Sequence, residues 1–245
     1  MTPALALPML LGMCGRFAIH TNASTILERT GAKGPAPEFG ARYNAAPTQS
    51  LPVVRRHPDS GDRVLGLLRW GLVPVWAKDA GIGAKMINAR AESLSEKPAF
   101  RNALRKRRCL VPFDAYYEWR KDGTAKIPYA IGTDSNGVDA FAGLWEGWKD
   151  PATGDWLHSF TIVTTTANEA TSHIHERMPV ILPPDRWGAW LGEEEAGPAE
   201  LQDMLAPYPA AHMRVWPVGK DVGNVRNDRP DLIDAIQSGP AINPA

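Results

Sequence analysis

The stretch from Cys109 to Thr133 reads CLVPFDAYYEWRKDGTAKIPYAIGT, and its reading decides the fold class. Three strand-like runs follow one another in it: Cys109–Pro112, Ala115–Arg120 and Ile127–Thr133. Downstream come Ala140–Trp148 and Ser159–Thr165, the latter loosely alternating and rich in β-branched residues, as half-buried strands are. Upstream, Leu51–Arg56 and Val64–Trp70 have the same character, and Arg214–Val218 adds a late strand. Helical signals are fewer. Asn22 and Ser24 can cap a helix through Glu28 that Gly31 stops, and Ser95 is expected to cap one running to about Arg108. Two more are expected at Asp185–Leu191 and Pro198–Leu205. Strands outnumber helices and do not alternate with them as βαβ units would. The expectation is an α+β single domain with a curved, mostly antiparallel sheet system.

Composition narrows the function classes. The 245 residues suit one large domain or two small ones, and 22 Pro, 22 Gly and nine Trp imply much turn-rich structure. With 27 basic and 27 acidic residues the chain is no polycation, so nucleic-acid affinity must come from a local basic patch. Two cysteines, Cys14 and Cys109, are too few for a disulfide framework and fit a reducing, cytoplasmic setting. No apolar run is long enough to span a bilayer. Residues 1–12 are apolar, but they lack a basic n-region and are broken by Pro3 and Pro8. They read as a start-site artefact or a removed extension, and residues 239–245 as a disordered tail.

Met13-Cys14-Gly15-Arg16-Phe17 places a cysteine directly after a potential initiator methionine. If Met13 is removed, Cys14 carries an α-amine and a thiol on one short framework. Their reference pKa values, about 7.7–8.0 and about 8.5, leave both partly deprotonated near neutrality. Such a 1,2-aminothiol condenses with an aldehyde through an imine and closes to a thiazolidine. Inside a chain the same nitrogen is an amide and cannot attack. A buried cysteine packing as a small hydrophobe is the commoner alternative, and it is the better reading for Cys109.

Glu118 lies among aromatics in Ala115-Tyr116-Tyr117-Glu118-Trp119, where an apolar surround would raise its pKa toward general acid–base use; an edge-strand glutamate facing water competes with that reading. His175, in Ser172-His173-Ile174-His175-Glu176-Arg177, could shuttle protons or simply face solvent. No second ligand pair has metal-site spacing, so no metal is expected. Asn88, in Met86-Ile87-Asn88-Ala89-Arg90, is a neutral donor and acceptor beside an arginine able to hold phosphate. Arg16, Arg90 and Arg177 suit phosphates, and Trp70, Trp76 and Trp119 offer stacking faces, although most of the tryptophans must be core. The basic run Arg101–Arg108 is either part of such a surface or a solvated helix end. No P-loop, G-x-S-x-G or H-E-x-x-H pattern occurs, and no cofactor is implied.

Taken in order, Cys14-Gly15-Arg16-Phe17, Arg42-Tyr43-Asn44-Ala45-Ala46-Pro47-Thr48, Trp70-Gly71-Leu72-Val73-Pro74 and Ile87-Asn88-Ala89-Arg90-Ala91-Glu92 resemble the SRAP family of abasic-site crosslinking proteins. Cys109-Leu110-Val111-Pro112, Tyr117-Glu118-Trp119, His175-Glu176-Arg177-Met178-Pro179 and Val222-Gly223-Asn224-Val225-Arg226-Asn227 continue the series. The resemblance implies one SRAP-like domain over residues 13–238, with a barrel-like β core and flanking helices. It implies that Cys14 crosslinks and that Asn88, Glu118 and His175 complete the catalytic site. Arg16, Asn44, Pro47, Trp76, Arg90, Trp119 and Arg177 would line a DNA channel. The implied partner is single-stranded DNA containing abasic sites, bound by a monomer and associated with the nucleoid at damage. A weak lyase activity would accompany the crosslink. A cysteine-type (auto)peptidase and a noncatalytic single-strand binding module are the competing readings. The extension ahead of Met13 departs from the family pattern.

Overall fold

The computed structural model describes residues 14–135 and 137–236; the expectations for residues 1–12 and 239–245 lie outside these. In chain order the elements are β1 (Phe17–Ile19), α1 (Ala23–Thr30), β2 (Arg42–Ala45), β3 (Ser50–Arg56), β4 (Arg63–Trp70), β5 (Asn88–Arg90), α2 (Arg101–Lys106) and β6 (Arg108–Phe113). They continue with β7 (Ala115–Asp122), β8 (Ala125–Thr133), β9 (Asp139–Lys149), β10 (Trp156–Thr166), β11 (Arg177–Pro179), α3 (Trp187–Leu191), α4 (Pro198–Asp203) and β12 (Met213–Pro217).

Five of these strands close on themselves. β3 pairs with β4, β4 with β10, β10 with β9, β9 with β6, and β6 again with β3. Only β4–β10 is parallel in this ring, so the mostly antiparallel expectation holds. Beyond the ring β10 runs on: Ile162–Thr164 pair in parallel with β5, and Thr164–Thr166 pair with β11. The second sheet, ordered β12-β8-β7-β1-β2, is joined to the barrel through Phe17 on β1. Phe17 meets Trp70 at 5.1 Å and Phe141 edge-on at 5.8 Å, while Phe113 stacks on Phe141 at 3.7 Å. These rings are almost wholly buried and form a shared floor between the two sheets.

Local chemistry sets the helix limits. Asn22 accepts the Thr25 N–H, and Gly31 ends α1 in the left-handed region at φ 65°, where a side chain would be strained. The expected helix from Ser95 to Arg108 is shorter than its signal. Pro98 biases the preceding residue away from helical dihedrals, so turns occupy residues 95–100 and α2 begins at Arg101. Arg108 already belongs to β6. Near the other predicted helices, Asp185 lies in a 3₁₀ turn before α3, and α4 ends at Asp203.

Candidate active site

β1 pairs with β7 through Phe17 and Tyr116, and the Tyr117 N–H donates to the Arg16 carbonyl at 3.0 Å. Extending that antiparallel register toward the chain start brings Gly15 opposite Glu118, with Cys14 the next residue. The Cys14 backbone nitrogen donates to Glu118 Oε1 at 2.6 Å, and Cys14 is held at φ 33°, in the left-handed region that side chains rarely adopt. A non-glycine residue there carries strain, of a kind that collects at functional sites. Glu118 is 6 % exposed and its carboxyl is pushed up to about 7. Burial is the main cause, opposed by the backbone hydrogen bonds from Cys14 and Trp119. The Cys14 thiol is also raised, first by burial and then by the Glu118 charge. Asn88 closes the group: its Nδ2 faces the Cys14 carbonyl at 3.4 Å.

β10 organises the remaining polar residues. β5 brings Asn88 and Arg90 to one edge, opposite Ile162 and Thr164, and β11 brings Arg177 to the other edge, opposite Thr166. Arg90 is exposed. Arg177 is 8 % exposed, forks onto Glu92 at 2.5 and 2.9 Å, and donates to the Thr164 carbonyl at 2.8 Å. The Arg177–Glu92 pair therefore ties the chain after β5 to β11 across β10. His175 is half-buried just before β11; its Nδ1 accepts the Arg177 N–H at 3.1 Å, which leaves Nε2 to carry the ring proton in the neutral form.

The residues expected along a DNA channel divide. Trp76 is 56 % exposed beside exposed Val75. Its segment is anchored from below: the Val73 N–H donates to Ser159 Oγ, Trp148 Nε1 donates to the Ala77 carbonyl, and Gly71 and Gly83 approach so closely that a Cβ on either would strike the other's carbonyl oxygen. Trp119 is half-buried against a small cluster containing Val218, Val222 and Leu232. Pro47 is half-buried in a turn with Thr48. Arg16 donates to Asn44 Oδ1 at 3.1 Å and to the Val222 carbonyl at 3.0 Å.

Asn44 is engaged within the fold. It is 1 % exposed, and its Nδ2 serves the carbonyls of Val222, Asn224 and Asn227 at 2.9–3.1 Å. It tethers the 222–227 segment and holds Arg16. Trp70 is likewise core, fully buried with Nε1 donating to the Ile87 carbonyl. The end of the basic run, just past α2, is structural: Arg107 pairs with Glu146, and Arg108 reaches the Trp190 and Leu104 carbonyls.

Two members of the site escaped the sequence reading. Glu92 had a signal, since it stands in the same short run as Asn88 and Arg90, but its partner Arg177 is 85 residues away. Tyr116 had one too, lying two residues before Glu118 on a strand and therefore on the same face. Among the described residues no three His, Cys, Asp or Glu side chains gather as metal ligands, and no helix is long and apolar enough to cross a membrane. The arrangement places the backbone nitrogen of Cys14 on a buried carboxyl whose pKa is pushed up to about 7, with the Asn88 amide facing the Cys14 carbonyl.

Comparison with known proteins gives the same direction. Residues 13–225 match the family model described as SOS response associated peptidase (SRAP). The abasic site processing protein YoqW of Bacillus subtilis is 43% identical over 226 residues, covering 91% of this chain and 100% of that protein. The abasic site processing protein HMCES of Gallus gallus is 32% identical over 268 residues, covering 93% and 79%. A solved structure of a Bacteroides thetaiotaomicron protein superposes with a TM-score of 0.81 at 27% identity, over 91% of this chain and 100% of that one.

Proposed function

The chain belongs to the SOS response associated peptidase family, and from that premise we propose that it processes abasic sites in single-stranded DNA by forming a covalent crosslink through Cys14. The observation that carries the reading is the 2.6 Å contact between the Cys14 nitrogen and Glu118, whose carboxyl titrates at about 7. The chemistry requires a working protein in which the Met13–Cys14 bond is absent. The match to the family model begins at residue 13 and leaves residues 1–12 outside it.

The Cys14 amine attacks C1′ of the open-chain aldehyde, and Glu118 takes a proton from the amine and returns one to the oxygen that leaves as water. Burial and the Glu118 charge keep the thiol protonated, so nitrogen reacts first and sulfur second. The thiol then adds to the imine: an S–C1′ bond forms, the C=N electron pair passes to nitrogen, and the thiol proton goes to that nitrogen. Asn88 holds the opened sugar. His175 protonates the departing ring oxygen and, while the imine persists, assists elimination of the 3′ phosphate, which is the weak lyase activity. Arg16, Arg90 and Arg177 meet backbone phosphates, with Glu92 the competitor at Arg177. Trp76 and Trp119 occupy space that a complementary strand would need.

The test uses protein started at Met13, with methionine removal verified by intact mass, incubated with an abasic single strand and run on a denaturing gel. A heat-stable shifted band is expected, and Cys14→Ser should give a shifted band only after borohydride. A heat-stable adduct from Cys14→Ser without reductant, or none from the wild type, overturns the reading. The 245-residue chain is incubated alongside; if it shortens itself and no DNA shift appears in either protein, the peptidase is favoured, and neither change would leave a binding module.

A further inference from the structure

Tyr116 and Glu118 leave the same face of β7, toward Cys14. The Tyr116 ring is fully buried, packed edge-on against Phe141 at 6.0 Å and Phe113 at 6.4 Å. Its hydroxyl has no hydrogen-bond partner among the described residues. That is unusual for a tyrosine so deeply enclosed, because a buried hydroxyl left unpaired is costly. Tyr117 next to it shows the ordinary solution: on the opposite face, its hydroxyl donates to the Tyr43 carbonyl at 2.7 Å. Phenylalanine at 116 would fill the same space and remove the cost. The hydroxyl is therefore a liability to folding, retained on the strand face that carries Glu118 and in the same buried cluster as Cys14. Burial first, then the charges of Cys14 and Glu118, push its pKa up, so both groups lie within electrostatic reach of it and it stays a neutral donor.

We propose that the Tyr116 hydroxyl is a positioning group for the Cys14 sulfur, donating to it as the thiol closes on the imine. The inference rests on the crosslinking reading above. In the closing step the Sγ–C1′ bond forms, the C=N pair moves to nitrogen and the thiol proton travels to that nitrogen. The proton passes first, leaving a thiolate opposite an iminium before the bond forms, and an O–H donated from the Glu118 face of β7 stabilises that charge without giving up its own proton. No oxidant, reductant or further reactant enters. Tyr116 acts through sulfur alone, so imine formation by the amine does not depend on it.

Tyr116→Phe and Tyr117→Phe, both in protein beginning at Cys14, separate the possibilities. For each, the adduct trapped by borohydride at early times and the adduct stable without reductant are measured on an abasic single strand, alongside thermal unfolding. Tyr116→Phe should form the trappable imine at the wild-type rate but close it about five- to tenfold more slowly, the effect of losing one hydrogen bond to the reacting atom. Its unfolding temperature should equal or exceed that of the wild type. Tyr117→Phe should lose stability and keep the wild-type ratio of the two adducts. An unchanged ratio in Tyr116→Phe, or the same change in both variants, overturns the proposal. If the wild type forms neither adduct, the crosslinking reading itself has failed, a different outcome on the same gel.

Discussion

Glu118→Gln in the 245-residue chain keeps a carbonyl oxygen able to accept from the Cys14 N–H and removes the titration. The native carboxyl is raised from 4.5 to about 7, mainly because burial penalises its charge. The folded state therefore holds this proton more tightly than the unfolded chain does. Its stabilising contribution is complete below the unfolded value near 4.5 and is lost as the pH rises through about 7. A displacement of roughly two and a half pH units corresponds to about 3 kcal/mol. Glutamine does not titrate, so the stability difference between the two proteins should change by about 3 kcal/mol between roughly pH 4 and pH 8, in favour of the variant at high pH. For a domain of this size that is about 6–12 °C in Tm. Urea unfolding of both proteins across the pH series reads it directly. Freeing the Cys14 amine should shrink the difference, because an α-ammonium at the same position gives the carboxylate a partner. Stability curves that stay parallel from about pH 4 to pH 8 would refute the account of Glu118.

Asn44→Ala leaves three carbonyls of the 222–227 segment and one Arg16 donor without their partner; unfolding should become easier by about 2–4 kcal/mol. Limited proteolysis should then cut between residues 219 and 229, and an intact segment would count against the tether. Glu92→Gln releases the Arg177 guanidinium, which should steepen the salt dependence of noncovalent binding to an undamaged single strand by about 0.7 in log–log slope. An unchanged slope would mean that Arg177 stays out of reach of phosphate.

The longer strands were readable because their patterns are local. Leu51–Arg56, Ala140–Trp148 and Ser159–Thr165 lie inside β3, β9 and β10, and Asn22 and Gly31 bracket α1 as their side-chain chemistry dictates. β5 and β11, three residues each, are too short to show a period; they exist because the free edges of β10 need partners. Ring closure through β4 and β10 joins segments far apart in sequence, which no local pattern records. The same limit applies at the site. Cys14 and Glu118 each stood out by residue type, but their contact crosses 104 positions. Asn44 stood out as a polar amide, but its carbonyl partners lie 178 to 183 positions away, which no local pattern records.

The ring closure also orders events during synthesis. β3 and β4 leave the ribosome early as a hairpin, but the barrel cannot shut until β10 arrives to join β4 to β9. The Asn44 tether waits longer still, for residues 222–227. Throughout that interval Cys14 lacks the strands that later surround it. Once the last turn docks, its nitrogen lies against Glu118 and the ring of strands behind it is complete.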